Sequence, residues 1–520
     1  MLHRNLLPGL ALLFCLCWAT QAAAQEAHQA HQAIDVNTFN DAQKNHKTIL
    51  KQLAATHKNS GIGALSVALI EDDKAVFIGG FGQYGNTNIQ AVNGDSIVRI
   101  GSITKTFTAL AYLHLVEQNK AQLNTPVSQL LPEIPLDNPY KDTPATMAMM
   151  LEHTSGLRDL SRKEFSHPVA LTIPDAFALD PGTRQIFTRP GEHYNYTNAG
   201  AGYISAAIEK ITQQNYDTWF LENILQAMGM NSSQLHWSDV IEKTRVRGYD
   251  SDLRTELPYW HTLFRAYGSL NSSAHDMSQL LRMLLNHGTL DGKQIFAADT
   301  LKRMETPHTS LAAQQGLTLG YGLGIRSVEH KEHVVFQHGG DADGYLSQIG
   351  YSHDSRRGYF FSINAYRHDI KNTIQEQLDD WLVESLELTA IASSANSTHK
   401  PNPKLKPKPN SSQPIQKKPS TKALSQYIGH YQSAVVRFAG QSPASIELKL
   451  INGKLHRSSK DKTRWFELIP TGNHSGNHSG NRTNNHSFRD RGQSLASSIF
   501  VEDHDGQLHL QAHYGTFKKL

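Results

Sequence analysis

The chain has 520 residues, and its 50 Lys and Arg against 47 Asp and Glu leave a formal net charge of +3. That length exceeds one ordinary domain and is ample for a large buried core. Seven lysines and no acid fall between Ser393 and Lys422, so the remainder is mildly acidic, which excludes a nucleic-acid-binding protein built on a basic fold.

At the start, His3 and Arg4 precede an apolar run from Leu10 to Ala19, followed by Ala22-Ala23-Ala24 before Gln25. This is the layout of a cleaved secretory signal over residues 1–24, and the run falls short of the roughly 20 apolar residues of a spanning helix. A periplasmic or secreted protein is expected, with no integral membrane segment after signal cleavage. Cys15 and Cys17 are the only cysteines and leave with the signal, so the mature chain would carry no disulfide, no thiol nucleophile and no cysteine-based metal site.

An amphipathic helix is predicted near Val36 to His57, then a hairpin from Ala64–Ile70 through the Asp72-Asp73 turn to Ala75–Ile78. Ser96 to Ile100 reads as a short strand, Gly101 allows close backbone approach, and from Ser102 to Val116 the chain is apolar almost all round, as in a buried helix. The middle third is mostly helical, including Ala199–Thr212 and Ser273–Asn286. Strands return at Val334–Phe336 and Gly358–Ile363, and a helix near Lys371 to Leu386 follows. The pattern predicts an α/β (α+β) domain over 25–392: one antiparallel sheet from distant segments, flanked by helices, with an inserted helical subdomain. Prolines alternating with Lys, Asn and Ser make 393–423 a linker. Hairpins around Asn452-Gly453 and Asp505-Gly506 make 424–520 a small antiparallel β-barrel or sandwich.

Three local patterns carry chemistry. Ser102 and Lys105 lie three apart at a strand-to-helix junction, so both point one way, with the serine on the first turn, where free N–H groups favour developing negative charge. A desolvated lysine there accepts the serine proton more readily. The same four-residue pattern recurs at Ser397–Lys400 and Ser459–Lys462, but in polar surroundings that cannot bury a lysine. Tyr196-Thr197-Asn198 opens a helix and offers a phenol to shuttle a proton and an amide to hold a carbonyl oxygen. His338-Gly339-Gly340 follows a strand, where glycines let a substrate lie against the edge. The repeat from Asn473 to His486 reads as a polar loop rather than a metal site.

In order and surroundings these patterns resemble the serine β-lactamase-like family of penicillin-recognising hydrolases, which includes D-aminopeptidases and carboxylesterases. The stretch His153-Thr154-Ser155-Gly156-Leu157, Pro190-Gly191-Glu192, Met228-Gly229-Met230 and Tyr321-Gly322-Leu323-Gly324 fit as well, and the likeness covers about residues 36 to 388. The resemblance implies Ser102 as nucleophile, Lys105 and Tyr196 as proton carriers, and Asn198, His338, Gly339, Gly340 and Asp341 as substrate-binding residues. Backbone N–H groups of Ser102 and Asp341 would form the oxyanion hole, and no metal or cofactor is called for. Histidine stands where true β-lactamases usually carry lysine, so a constant cation is replaced by a group charged only near or below pH 6.5. The expected function is therefore an exported serine hydrolase acting on a D-amino-acid peptide or small ester, with a small molecule, a peptide or peptidoglycan fragments as partner. The alternative is a catalytically silent penicillin-binding-like protein that senses cell-wall fragments.

Overall fold

Alternation along Ala64-Leu65-Ser66-Val67-Ala68-Leu69 sends small side chains to one face and larger branched ones to the other. The strand that results, β1 (Ala64–Glu71), is buried on both faces. In the computed structural model, which describes residues 46–84, 89–165, 167–395, 419–438, 440–473, 486–512 and 515–520, β1 sits inside an eight-stranded antiparallel sheet. The expected signal, most of the linker and nearly all of the histidine repeat lie outside the described residues.

The next strands are β2 (Lys74–Tyr84), β3 (Gln90–Ala91) and β4 (Val98–Arg99), which pairs with β5 (Asn271–Ser272). A small hairpin, β6 (Thr289–Leu290) and β7 (Lys293–Gln294), stands apart. Then come β8 (Gly320–Tyr321), β9 (Arg326–His330), β10 (His333–Ala342), β11 (Tyr345–Ser352) and β12 (Arg357–Ile363). Sheet order is β3-β2-β1-β12-β11-β10-β9-β8, so the first and last strand groups meet at β1 and β12 with Val67 opposite Phe361. Sequence and structure agree on this sheet of distant segments.

Each face has its own core. Leu65, Val67 and Leu69 pack with Leu50 and Leu53 of the Lys47–Ser60 helix and with Ile374 and Leu378 of the His368–Ala395 helix. Ala64 and Ala68 face the other way, toward Leu280 and Leu284 of the Ala274–Leu285 helix and the helical middle of the chain. Burying one such leucine stabilises by roughly 1.5–3 kcal/mol, so the doubly covered sheet is a rigid base for whatever sits at its edge.

The C-terminal strands form a second sheet: β13 (Gly429–Ser433), β14 (Ser445–Ile451), β15 (Lys454–Ser458), β16 (Trp465–Glu467), β17 (Ile469–Asn473), β18 (His486–Arg489), β19 (Ser498–Glu502), β20 (Leu508–Ala512) and β21 (Gly515–Lys519). Their order is β16-β15-β14-β13-β21-β20-β19-β18-β17. The two edge strands, β16 and β17, are consecutive in the chain with only Leu468 between them, so the sheet curls into a nearly closed barrel. Tyr427 stacks on Phe500 inside it at 3.9 Å between ring centroids. Among the described residues no helix is long and apolar enough to cross a membrane.

This barrel is bonded to the larger unit. Gln511 accepts from the Ala312 N–H at 2.7 Å and donates to the Glu192 carbonyl at 2.6 Å. Glu329 accepts from the backbone of Ser494 and Leu495, and Leu317 packs with Ile499 and Val501.

Candidate active site

The serine is presented by a tight turn. Ile100 N–H bonds to the Leu270 carbonyl, Gly101 takes a left-handed φ of 55°, and residues Gly101–Ile103 form one 3-10 turn before the Thr104–Glu117 helix begins. The expected helix therefore starts two residues later, and Ser102 sits on the tighter turn in front of it. Thr104 locks that turn, donating its hydroxyl to the Gly101 carbonyl at 2.7 Å and accepting from Leu270 N–H at 3.2 Å.

Gly101 and Gly340 are both required by close approach. A Cβ on Gly101 would lie 2.5 Å from the Asp341 nitrogen, and one on Gly340 would lie 1.9 Å from the Ile100 carbonyl oxygen. Ser102 is thus pressed against β10, and His338, Gly339, Gly340 and Asp341 lie within that strand rather than after it. Only His333–Gln337 pair with β9, which leaves the stretch from His338 onward without β9 along that edge.

Lys105 is buried, and its Nζ has three partners: Ser102 Oγ at 3.1 Å, Asn198 Oδ1 at 2.7 Å and the Tyr267 carbonyl at 2.9 Å. Burial pushes its pKa well below the ordinary lysine range, with Asp159 opposing and Arg437 assisting. In the neutral amine two protons serve Asn198 and Tyr267, and the lone pair faces the serine hydroxyl. Asn198 precedes the Ala199–Thr212 helix but does not cap it; its amide instead bridges Lys105 to Asp159 Oδ2, 3.2 Å away.

Burial raises the Tyr196 phenol pKa, and the Ser102 side chain beside it partly offsets that rise. The Tyr196 ring lies 4.9 Å below Lys105 Nζ and 4.4 Å from His153, whose Nδ1 accepts from Thr197 N–H. His338 packs on the same tyrosine cluster. Its Nδ1–H donates to the Gly339 carbonyl at 2.7 Å and its Nε2 accepts from the Tyr321 hydroxyl at 2.7 Å. Burial, and then the nearby Lys105, hold its pKa down to about 3. The expectation of a histidine that titrates near pH 6.5 is corrected: His338 is a neutral, doubly bonded ring.

These groups open into a cavity of about 520 Å³, which also reaches Arg99, Arg326, Lys371 and Arg437. Of the residues expected from sequence, Ser102, Tyr196, Asn198, His338, Gly339, Gly340 and Asp341 line it, and Lys105 lies behind Ser102. The Asp341 carboxyl is turned to Tyr366, which donates to it at 2.5 Å, so only its backbone faces Gly101.

Sequence reasoning missed Asp159, Tyr267, Arg326, Lys371 and Arg437. Asp159 follows Leu157 by two residues and was within reach of a local reading. Lys371 opens a predicted helix and Arg326 follows the Tyr321–Gly324 stretch, but nothing local turns either toward the site, and Tyr267 and Arg437 reach it only through the fold.

A second polar group, His193, Asp503 and His509, has ligand atoms within 4.8 Å of one another at the seam with the barrel. Gln511 donates its amide to His193 Nδ1 at 3.0 Å, so the proton of that ring sits on Nε2, and His509 is paired with Asp503 at 2.7 Å.

The model of the Beta-lactamase family matches residues 47–369, and the chain belongs to that family. Among curated proteins it is similar to Beta-lactamase-like protein 4 of Dictyostelium discoideum, 25% identical over 59% of this chain and 57% of that one. The chain thus spans little more than half the length of that relative. Among solved structures, the octameric penicillin-binding protein homologue of Pyrococcus abyssi aligns over 91% of this chain and 99% of its own, at 21% identity and a TM-score of 0.56. A β-lactamase/D-alanine carboxypeptidase of Yersinia pestis covers 64% of this chain and 97% of its own, at 17% identity and a TM-score of 0.53. At these identities the likeness is one of fold.

Proposed function

We propose that this chain is an exported serine hydrolase that cleaves an ester or amide through an acyl-enzyme on Ser102. The observation that carries the reading is Lys105 Nζ, buried and 3.1 Å from Ser102 Oγ. The serine oxygen attacks the substrate carbonyl as its proton passes to Lys105. The tetrahedral oxyanion lies between the backbone N–H groups of Ser102 and Asp341, and each such donor is worth roughly 3–4 kcal/mol in acyl transfer. Collapse expels the leaving group, which takes its proton by way of Tyr196, and water then cleaves the acyl-enzyme to regenerate the serine. Asn198 holds Lys105 through Oδ1 and lines the cavity, where its amide would meet the substrate amide.

For the substrate, a peptide ending in a D-residue or a small carboxylic ester fits best. His338, held neutral, does not itself supply the charge that lysine carries at this place in true β-lactamases. Arg326, opposite Gln337 on β9, and Lys371, whose Nζ lies beside Gly339, supply positive charge next to this stretch of β10, a place for a substrate carboxylate. A fold shared with a D-alanine carboxypeptidase supports such a substrate.

The test is a panel of p-nitrophenyl esters, D-amino-acid amides and a chromogenic cephalosporin, run with wild type and Ser102→Ala, alongside labelling by a fluorophosphonate. Turnover and labelling lost in Ser102→Ala support the reading. A folded wild type that is neither labelled nor active on any of them points to a silent, fragment-sensing protein.

A further inference from the structure

The connection between β13 and β14 leaves the barrel and enters the cavity. Its Ala434 N–H is tied to Thr516 of β21, and the Arg437 carbonyl accepts from Asp159 N–H at 2.9 Å. Phe438 packs on Phe165 with ring centroids 6.0 Å apart. Between these anchors the Arg437 guanidinium places Nε and Nη2 each 2.7 Å from Asp159 Oδ2 and stands 4.9 Å from the centre of the Tyr196 ring.

Asp159 is the hub of this contact. Its side chain is fully buried; Oδ1 accepts from the Asn198 and Leu160 N–H groups, and Oδ2 accepts from the Asn198 amide and from Arg437. The Asn198 amide in turn holds Lys105. A buried carboxylate left without its cation is costly and pulls protons toward every base around it.

We infer that Arg437 is a positioning residue of the catalytic centre: by neutralising Asp159 it keeps Asn198 and Lys105 in their working arrangement, which makes the C-terminal barrel part of the active site. This rests on the serine-hydrolase reading for its consequence, but the linkage Arg437–Asp159–Asn198–Lys105 stands on geometry. It also gives the barrel a role different from a detachable wall-binding module or a passive cover.

The linkage has a definite sign. Lys105 is faced by Ser102 of its own turn, Tyr196 and Asn198, Tyr267, His153, His338 of β10, and Asp159 with Arg437. The two histidines are held neutral, so Asp159 and Arg437 are the charges that act on it. Removing Arg437 leaves Asp159 unopposed, tightens the proton on Lys105 and lowers the fraction of free amine.

The experiment uses the full chain as wild type, Arg437→Ala, Arg437→Lys and Arg437→Ala/Asp159→Asn, each checked for folding by thermal denaturation. Ionisation of Lys105 is read by competitive trace acetylation across pH with peptide mass spectrometry, which needs no turnover; Ser102 labelling by a fluorophosphonate is followed in parallel. In Arg437→Ala the Lys105 midpoint rises by about 1 pH unit or more and labelling near neutrality slows about tenfold. Arg437→Lys restores part of both, and adding Asp159→Asn to Arg437→Ala brings the midpoint back down. A midpoint unchanged in the folded Arg437→Ala variant, a rise in Arg437→Lys as large as in Arg437→Ala, or a rise that Asp159→Asn does not reverse, overturns the inference. If the midpoints respond as described while wild-type Ser102 is never labelled, the linkage stands and the hydrolase reading falls.

Discussion

The Tyr321 hydroxyl donates to His338 Nε2 at 2.7 Å, and this bond fixes both the tautomer and the charge of the one residue that departs from the lysine usual at its place. With Nδ1–H given to Gly339, the ring has no free lone pair for a proton, and burial holds its pKa down to about 3. His193 at the barrel seam is likewise held to about 3, first by burial and then by His509. Below about pH 6.5 the unfolded chain takes up protons that these folded rings refuse, so stability is lost as pH falls from about 6.5 toward 3. Each ring contributes up to about 1.4 kcal/mol per pH unit in that window. Urea denaturation between pH 7 and pH 4.5 should therefore show a shallower decline in His338→Gln and His193→Gln than in wild type. Equal slopes would refute the neutral assignment.

In the proposed mechanism Lys105 sets the acid side of activity. Its free amine is the reactive form, so kcat/KM should rise with pH through its depressed pKa and fall away below it. Lys105→Arg keeps the length and the charge but cannot release a proton, and the expected loss is roughly 10²- to 10⁴-fold in kcat, with an unchanged far-UV circular dichroism spectrum. Retention of a tenth or more of wild-type kcat would assign the base elsewhere.

The two sheets were legible where apolar runs such as β1 and β12 are bounded by turn residues, as at Asp72-Asp73 in the first sheet and Asn452-Gly453 in the second. Ser102, Lys105, Tyr196 and Asn198 were legible because each sits on a local pattern whose geometry follows from helix spacing or a helix start. What was hidden depends on contacts across long stretches of chain. The charge of His338 is decided by burial and by Tyr321, 17 residues away, and Arg437 meets Asp159 across 278 residues. Gly101 was legible as a point of close backbone approach, but that the partner is the backbone of Asp341 was hidden, because it lies far along the chain.

That close approach makes Gly340 intolerant of any side chain. A Cβ there would meet the Ile100 carbonyl oxygen at 1.9 Å, backbone against backbone, so β10 or the serine turn must move. Gly340→Ala should destabilise by about 1–3 kcal/mol and displace Ser102, so that fluorophosphonate labelling falls far more than the loss of folded protein explains. Gly339→Ala is the control. Its Cβ would meet the Gln348 side chain at 3.1 Å, which can swing aside, so labelling should stay within a few-fold of wild type.

Arg326 and Lys371 give the last prediction, which concerns substrate charge. Lys371 donates to Gln375 at 2.7 Å, and burial lowers its pKa to about 8, so it is a cation below that pH and loses its charge as pH rises through it. If a substrate carboxylate sits in this part of the cavity, Arg326→Ala should raise KM for a carboxylate-bearing ester about tenfold while leaving a neutral ester of the same alcohol nearly unchanged. Wild type should show its own rise in KM for the charged ester above about pH 8, absent in Lys371→Met, because deprotonation and substitution remove the same charge. Parallel changes in KM for the charged and the neutral ester would mean that these side chains shape the cavity without reading charge, and a substrate lacking a carboxylate would then fit the site better.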